Sequence, residues 1–229
     1  MKKLTLILLA LTMLLGLCAC DSKDPADTTA STQNTTIPTT VPTTAPVETQ
    51  EPQLGSYENG VYSNPYIGIQ CTVDQEWHVY NREEMAQLNG LVLDTMTDKD
   101  LVEQLKNADV AYLFYAMKDE GLISMNITLE KLNLVNGILL DEKAYAKASV
   151  QQLPAALESM GMTGVTAKEE VFSFAGQEHA GVSVYGNYSG VDFYEKLICI
   201  KAGEYMAVVT VASYTEDLTG ELLNHFSGI

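Results

Sequence analysis

The sequence predicts an α+β protein, an antiparallel β-sheet flanked by helices, carried behind a membrane anchor. Three observations lead there. From Gly164 onward, four strand-like segments are separated by Ala175-Gly176, Ser189-Gly190 and Ala202-Gly203, the punctuation of an antiparallel meander. Before them, Asp141 opens a helical stripe that Gly161 can close in the left-handed conformation. The span from Ser56 to Ile229 contains no further linker and is long enough to bury about 70 % of its unfolded surface in one core.

At the N-terminus, Met1-Lys2-Lys3 precedes an apolar run from Leu4 to Leu17. The run is shorter than the roughly 20 residues that cross a bilayer, but it has the length and charge of a signal-peptide core. It ends in Leu17-Cys18-Ala19-Cys20, which resembles a bacterial lipoprotein signal: an aliphatic residue, a small one, Ala or Gly, then the cysteine that is lipidated. The chain therefore divides into a signal peptide at 1–19, a lipidated Cys20 with a tether to residue 55, and a domain at 56–229. Cys20 is the lipidation site. Its acyl chains anchor the mature protein in the cell membrane, on the extracytoplasmic face, since each buried methylene adds about 0.8 kcal/mol.

From Asp21 to Gly55 the chain has ten Thr, five Pro and no aromatic residue. Such a segment cannot offset the entropy of its own ordering, and it reads as a spacer of roughly 30 Å average reach. Removal of Lys2 and Lys3 with the signal leaves 11 basic against 30 acidic residues, a formal charge of −19. A domain so acidic is repelled by nucleic acid and by an anionic lipid surface. The acidic residues read as a solvated face rather than a calcium site.

Within the domain, Ile67, Ile69, Cys71 and Val73 alternate with Gly68, Gln70 and Thr72, the period of a half-buried strand. Asn81 caps a helix with Glu84 reaching back, and Met85, Leu88 and Val92 form its apolar face. Thr97-Asp98-Lys99-Asp100 repeats that start signal before Leu101, Val102 and Leu105. Val110 to Met117 is apolar almost throughout, which predicts a central strand covered on both faces. Ile123, Met125, Ile127 and Leu129 predict the next strand, joined to it through Asp119-Glu120-Gly121. In the long helix after Asp141, Tyr145, Ala148, Leu153, Ala156, Leu157 and Met160 share a stripe, while Pro154 predicts a kink or a fresh start. A terminal helix is expected with Thr215 as cap and Leu218, Leu222 and Phe226 on one face.

Cys71 and Cys199 both lie in apolar strand-like runs, so a disulfide and two packed thiols are equally compatible with the pattern. No CxxC is present, which excludes a thioredoxin-like motif.

Val61-Tyr62-Ser63-Asn64-Pro65-Tyr66-Ile67-Gly68, Trp77 after the first long strand, the central helix, and Phe174-Ala175-Gly176-Gln177-Glu178-His179-Ala180 running into Val182-Ser183-Val184-Tyr185 resemble the PsbP/Mog1-type domains of bacterial lipoproteins. The resemblance covers most of Tyr57 to Phe226. It implies an α/β/α sandwich and a noncatalytic binding or assembly role, and it supplies no catalytic residue to carry over. Asp74 stands where such domains usually have a proline, three residues before the Trp, so a differently built turn is expected there.

A search for chemistry agrees with that expectation. His78, His179 and His225 are far apart, without the spacing of a zinc site, and no cofactor is expected. Ser183 sits between Gly181 and Gly186 but lacks the spacing of a nucleophile elbow. Glu83-Glu84, Asp141-Glu142 and Glu169-Glu170 point to different faces and do not pair as glycosidase acids. Tyr57, Tyr62, Tyr66, Trp77 and Tyr80 form either core or a stacking surface. The expected function is a noncatalytic envelope lipoprotein that binds a protein partner or assists assembly. The alternatives are a small-ligand or wall-glycan binding domain, marked by a lined pocket or an aromatic platform, and a hydrolase assembled from residues remote in sequence.

Overall fold

The computed structural model describes residues 51–91, 102–103, 107–132, 134–135 and 138–229. The signal, Cys20, nearly all of the tether, Val92 and the helix start at Thr97–Asp100 with Leu101 and Leu105 lie outside the described residues. The architecture is α+β and antiparallel. A seven-stranded sheet has the order β4-β5-β6-β12-β11-β10-β9, formed by His78–Val79 (β4), Val110–Lys118 (β5), Ile123–Lys131 (β6), Met162–Phe174 (β9), Gln177–Tyr188 (β10), Val191–Ala202 (β11) and Tyr205–Tyr214 (β12). A small sheet of Ser56–Glu58 (β1), Val61–Asn64 (β2), Ile69–Thr72 (β3) and Phe226–Gly228 (β13) has the order β1-β2-β3-β13. Leu134–Val135 (β7) and Ile138–Leu139 (β8) pair separately.

The meander forms because its turns suit the twist of the strands. Ala175-Gly176 and Ser189-Gly190 have positive φ at both positions, the primed geometry that joins two-residue hairpins. The third turn is Gly203-Glu204 rather than Ala202-Gly203, because Ala202 pairs with Tyr205 and Gly203 has a φ of 58°. Gly181 in β10 is required for another reason: a Cβ there would lie 2.1 Å from the Leu197 carbonyl oxygen. The loop between β5 and β6 turns on Asp119, Glu120 and Gly121, all at positive φ.

The two faces of the large sheet carry separate cores. On one, the helix Glu142–Ser159 (α2) lays Leu153 and Leu157 against Val182, Leu197, Cys199 and Val208. Asp141 caps α2 by accepting from Ala144 N–H at 2.7 Å, and Gly161 follows at φ 94°. On the other face, the small sheet packs Tyr62, Ile69, Cys71 and Phe226 against Phe114, Ile127, Ile198 and Val209, with Leu222 from the short helix Thr219–Leu223 (α3). The layer opposite α2 is thus itself mainly a sheet. Among the described residues, no helix is long and apolar enough to cross a membrane.

Three further expectations change. The fully buried central strand is β12, flanked by β6 and β11, whereas the apolar run Val110–Met117 lies one strand from the edge beside the two-residue β4. It is buried all the same, because the small sheet covers one face and the helix Arg82–Leu88 (α1) packs on the other. Pro154 lies inside an uninterrupted α2, so no helix starts anew there. The chain ends on a strand: Phe226 pairs with Cys71 of β3, and Thr215, at φ 75°, is not a helix cap. The sheet edge beside β3 takes those last residues, so their backbone bonds run to a strand instead of up a helix. Cys71 and Cys199 are both buried and free, one in each core, so the sheet separates them.

Candidate functional site

A cleft of about 880 Å³ opens beside Gln53–Tyr57, near the start of the described residues. Its lining comes from Gln53–Tyr57, from β2, from Val79 and Tyr80, from α1, and from Tyr112, Leu113 and Phe114 of β5. Local chemistry fixes each wall. At Gln53–Gly55, Tyr62 Oη donates to Leu54 O at 2.8 Å, and buried Asn64 Nδ2 donates to Gln53 O at 2.9 Å and to Tyr62 Oη at 3.0 Å. Gly55, at φ 77°, lies so close that a Cβ would be 2.6 Å from Tyr62 Oη. The segment Gln53–Gly55 is therefore clamped to β2.

The opposite wall is α1, which exists through its caps. Asn81 Oδ1 accepts from Glu83 N–H and Glu84 N–H, and Glu84 Oε2 accepts from Asn81 N–H at 2.8 Å, the reciprocal capping box. At the other end, Asn89 Nδ2 donates to the Met85 and Tyr112 carbonyls, and its Oδ1 accepts from Tyr112 N–H at 2.7 Å. Asn89 thereby ties the helix to β5. In β5 the register shifts between Tyr112 and Phe114, so an extra residue, Leu113, enters the wall.

The lining is aromatic and aliphatic: Tyr57, Tyr62, Tyr80, Tyr112 and Phe114 stand with Leu54, Val79, Met85, Leu91 and Val102. Among the described residues no acidic one lines the wall, and Arg82, the one arginine of the sequence, is exposed at the start of α1. Burial pushes the Tyr62, Tyr112 and Tyr80 hydroxyls upward in pKa, so they stay neutral across physiological pH. Such a lining offers shape, apolar contact and ring faces, and among the described residues it pairs no nucleophile with a base.

The aromatic cluster read from the sequence divides between the two roles. Trp77 is core, beside His225, whereas Tyr57, 44 % exposed, Tyr62 and Tyr80 reach the cleft. Tyr66 Oη donates to the Ala202 carbonyl on the far side of the small sheet. Asp74 builds the turn before Trp77 by accepting from Glu76 N–H at 2.9 Å, the local device that replaces the missing proline. The three histidines are kept apart: His78 meets Glu84, His179 meets Glu142, and His225 meets the Thr72 carbonyl. Ser183 donates to Glu170 at 2.7 Å, and Lys168 bonds the same carboxylate, which lies below the usual carboxylate range because of both partners. Glu142 accepts from Lys201 N–H beside His179, a structural bond. The sequence reading missed Asn64 and Asn89. Buried side-chain amides that hold remote segments leave no periodic signal.

No family model matches the chain, and no curated protein matches it. Among solved structures, it is similar to the solution structure of cyanobacterial PsbP (CyanoP) from Synechocystis. That match covers 77 % of this chain and 99 % of the other, at 10 % identity and a TM-score of 0.44. It is also similar to the crystal structure of LpqN, a protein involved in cell envelope biogenesis of Mycobacterium tuberculosis, over 69 % of this chain and 82 % of that one, at 10 % identity and a TM-score of 0.35. PsbP, the domain type that the sequence motifs resemble, is thus among the structural neighbours. Superposition at this level transfers neither site nor role.

Proposed function

We propose that this chain is a lipid-anchored, extracytoplasmic, noncatalytic binding protein whose ligand enters the cleft at the tether root. The observation that carries the reading is the cleft itself: concave, apolar, within the size range of ligand sites, and assembled from residues held by hydrogen bonds they make to the framework. The anchor part rests on Leu17-Cys18-Ala19-Cys20 and the Thr/Pro-rich spacer. The noncatalytic part rests on the chemistry of the wall, which contains aromatic, aliphatic and amide groups. The pocket is the feature that separates ligand binding from a purely protein-binding role.

Capture of a protein partner in the envelope is the second reading, and one observation favours it. β9 is an edge strand of 13 residues with Val171 70 % exposed, and a free edge can accept a strand from another chain. Lys168, Glu169 and Glu170 guard its middle with charge.

The test is site-specific photo-cross-linking in intact cells, with the reactive side chain at Met85 in the cleft or at Val171 on β9, and Cys20→Ala as the unanchored control. Adducts from Met85, lost or reduced with Cys20→Ala, are the expected result. Adducts from Val171 alone would replace the cleft reading by strand addition. Mass spectrometry of the N-terminal peptide checks the anchor directly: a diacylglyceryl group on Cys20 is expected, and an unmodified Cys20 would remove the anchor.

A further inference from the structure

We propose that the exposed face of β9, β10 and β11 beside α3 is a second binding site, which takes a neutral oligosaccharide across Tyr185 and Tyr194. The site is separate from the cleft and stands whether or not the cleft reading does.

Strand register builds it. On the small-sheet side of the large sheet, Lys168, Ser183 and Lys196 face one another across the three strands, and Thr166, Tyr185 and Tyr194 form the next row along. Rows two residues apart on one face of a strand are separated by about 7 Å. The intervening Val182 and Val184 turn to the α2 core. Further along β11, Ile198 and Ile200 are packed in the core beneath the small sheet, but that cover ends before the tyrosine row, where Tyr185 is 39 % exposed. Asp217 and Thr219, at the start of α3, close one side, and the groove between them and the strands has a volume of about 370 Å³.

The rings are held in place. Tyr185 and Tyr194 stand directly opposite each other on β10 and β11, with ring centres 5.4 Å apart. Tyr185 Oη donates to Asp192 Oδ1 at 2.8 Å, and Asn187 Nδ2 donates to the same oxygen at 3.1 Å. Asn187 Oδ1 in turn accepts from Gly190 N–H at 2.8 Å. The Ser189-Gly190 turn thus fixes the Tyr185 ring before any ligand arrives, so little side-chain entropy is lost on binding.

The polar groups beside the rings select hydroxyls. Glu170 accepts from Lys168 Nζ and from Ser183 Oγ, each at 2.7 Å, and both partners keep it ionised. A carboxylate has more lone pairs, and an ammonium more donors, than those bonds use, so each can still meet a ligand. Lys196 Nζ, 6.0 Å from the centre of the Phe172 ring, adds a second ammonium to the groove, and Asp217 a second carboxylate. Glu195, also in the lining, is kept protonated by burial, which pushes its carboxyl up to about 8. An anion here would meet the carboxylates, and a cation the ammonium groups. A sugar hydroxyl donates to one and accepts from the other, while the C–H groups of a sugar ring pack on the negative face of a tyrosine. Two ring faces in a row offer contact to successive sugars of a chain.

The experiment uses the full lipidated chain in phosphatidylcholine nanodiscs, with equilibrium dialysis against tritiated chitotetraose, cellotetraose and maltotetraose. Saturable binding of at least one of these is expected, weakened about tenfold by Tyr194→Ala and about fivefold by Lys196→Met. Lys147→Ala, which removes an exposed ammonium from α2 on the other side of the sheet, should leave it unchanged. Thermal melts establish that each variant is folded. No binding of any of the sugars up to about 10 mM overturns the site, and so does binding that is indifferent to both Tyr194→Ala and Lys196→Met.

Discussion

Glu195 is the residue with the most to say about stability. It is 3 % exposed on β11, with Ala212 of β12 on one side and Val184 of β10 on the other. Its Oε2 has no hydrogen-bond partner among the described residues, and neither have the nearby Asn126 Oδ1 and Thr210 Oγ1. Burial pushes its carboxyl up to about 8. Glu130, which accepts from the Tyr145 hydroxyl, is pushed up to about 7, again chiefly by burial. Both acids are raised above their unfolded values, so the stability they allow is complete below about pH 4.5 and is lost as pH rises towards 8. Each unit of displacement is worth about 1.4 kcal/mol. Thermal melts should therefore show a Tm several degrees higher at pH 5 than at pH 8, and Glu195→Gln should flatten that slope. An unchanged slope in the variant would move the effect to other groups. Asn64 gives a second prediction at this scale: Asn64→Ala leaves buried partners unpaired, costs about 1–3 kcal/mol in chemical denaturation, and exposes the Leu54 bond to limited proteolysis. Of these residues, only their polarity was legible in the sequence. The burial that gives Glu195 and Asn64 their weight comes from strands and segments far away along the chain.

Elements were the most legible scale where their signals are local. The Asn81–Glu84 capping box, the Asp141 cap and the alternation in β3 and β6 all appear as written, because caps and strand periodicity depend on residues within one or two turns. The exceptions have tertiary causes. Pro154 remains inside α2 because Leu153 and Leu157 on either side of it are fully enclosed by the sheet, and that packing outweighs a lost backbone bond. Proline in a helix interior is about 3 kcal/mol worse than alanine, and the stiffness it lends the unfolded chain returns up to about 1 kcal/mol. Pro154→Ala should thus stabilise the domain by about 2 kcal/mol in urea titration, and a destabilised variant would mean that the proline ring itself is packed. The C-terminal Leu218, Leu222 and Phe226 have helical spacing, yet only Thr219–Leu223 is helical and Phe226 becomes a strand residue. Apolar spacing of four is satisfied equally by a short helix leading into a strand when both bury the same side.

For the whole molecule, the consequence is two cores divided by one sheet, with a cleft beside Gln53–Tyr57. Cys71 and Cys199 illustrate the division. Burial raises both thiols, Cys71 to about 12, so neither is a ready nucleophile, and the sheet between them prevents pairing. Intact mass measurement under iodoacetamide should find both unmodified in native buffer and both alkylated in denaturant. Modification in native buffer would show that one core opens. The sequence by itself determined the Thr/Pro-rich composition ahead of the domain, the acidic charge, the α+β antiparallel class and most strands and caps, since each is written in composition or in near-neighbour periodicity. Only the tertiary structure decided that β12 is central, that the last residues close the small sheet, that Tyr57, Tyr62 and Tyr80 turn toward one cleft while Trp77 turns away, and that Asn64 and Asn89 hold its walls. Those facts depend on which distant segments meet, and pairings across 11 to more than 150 residues leave no trace in local pattern.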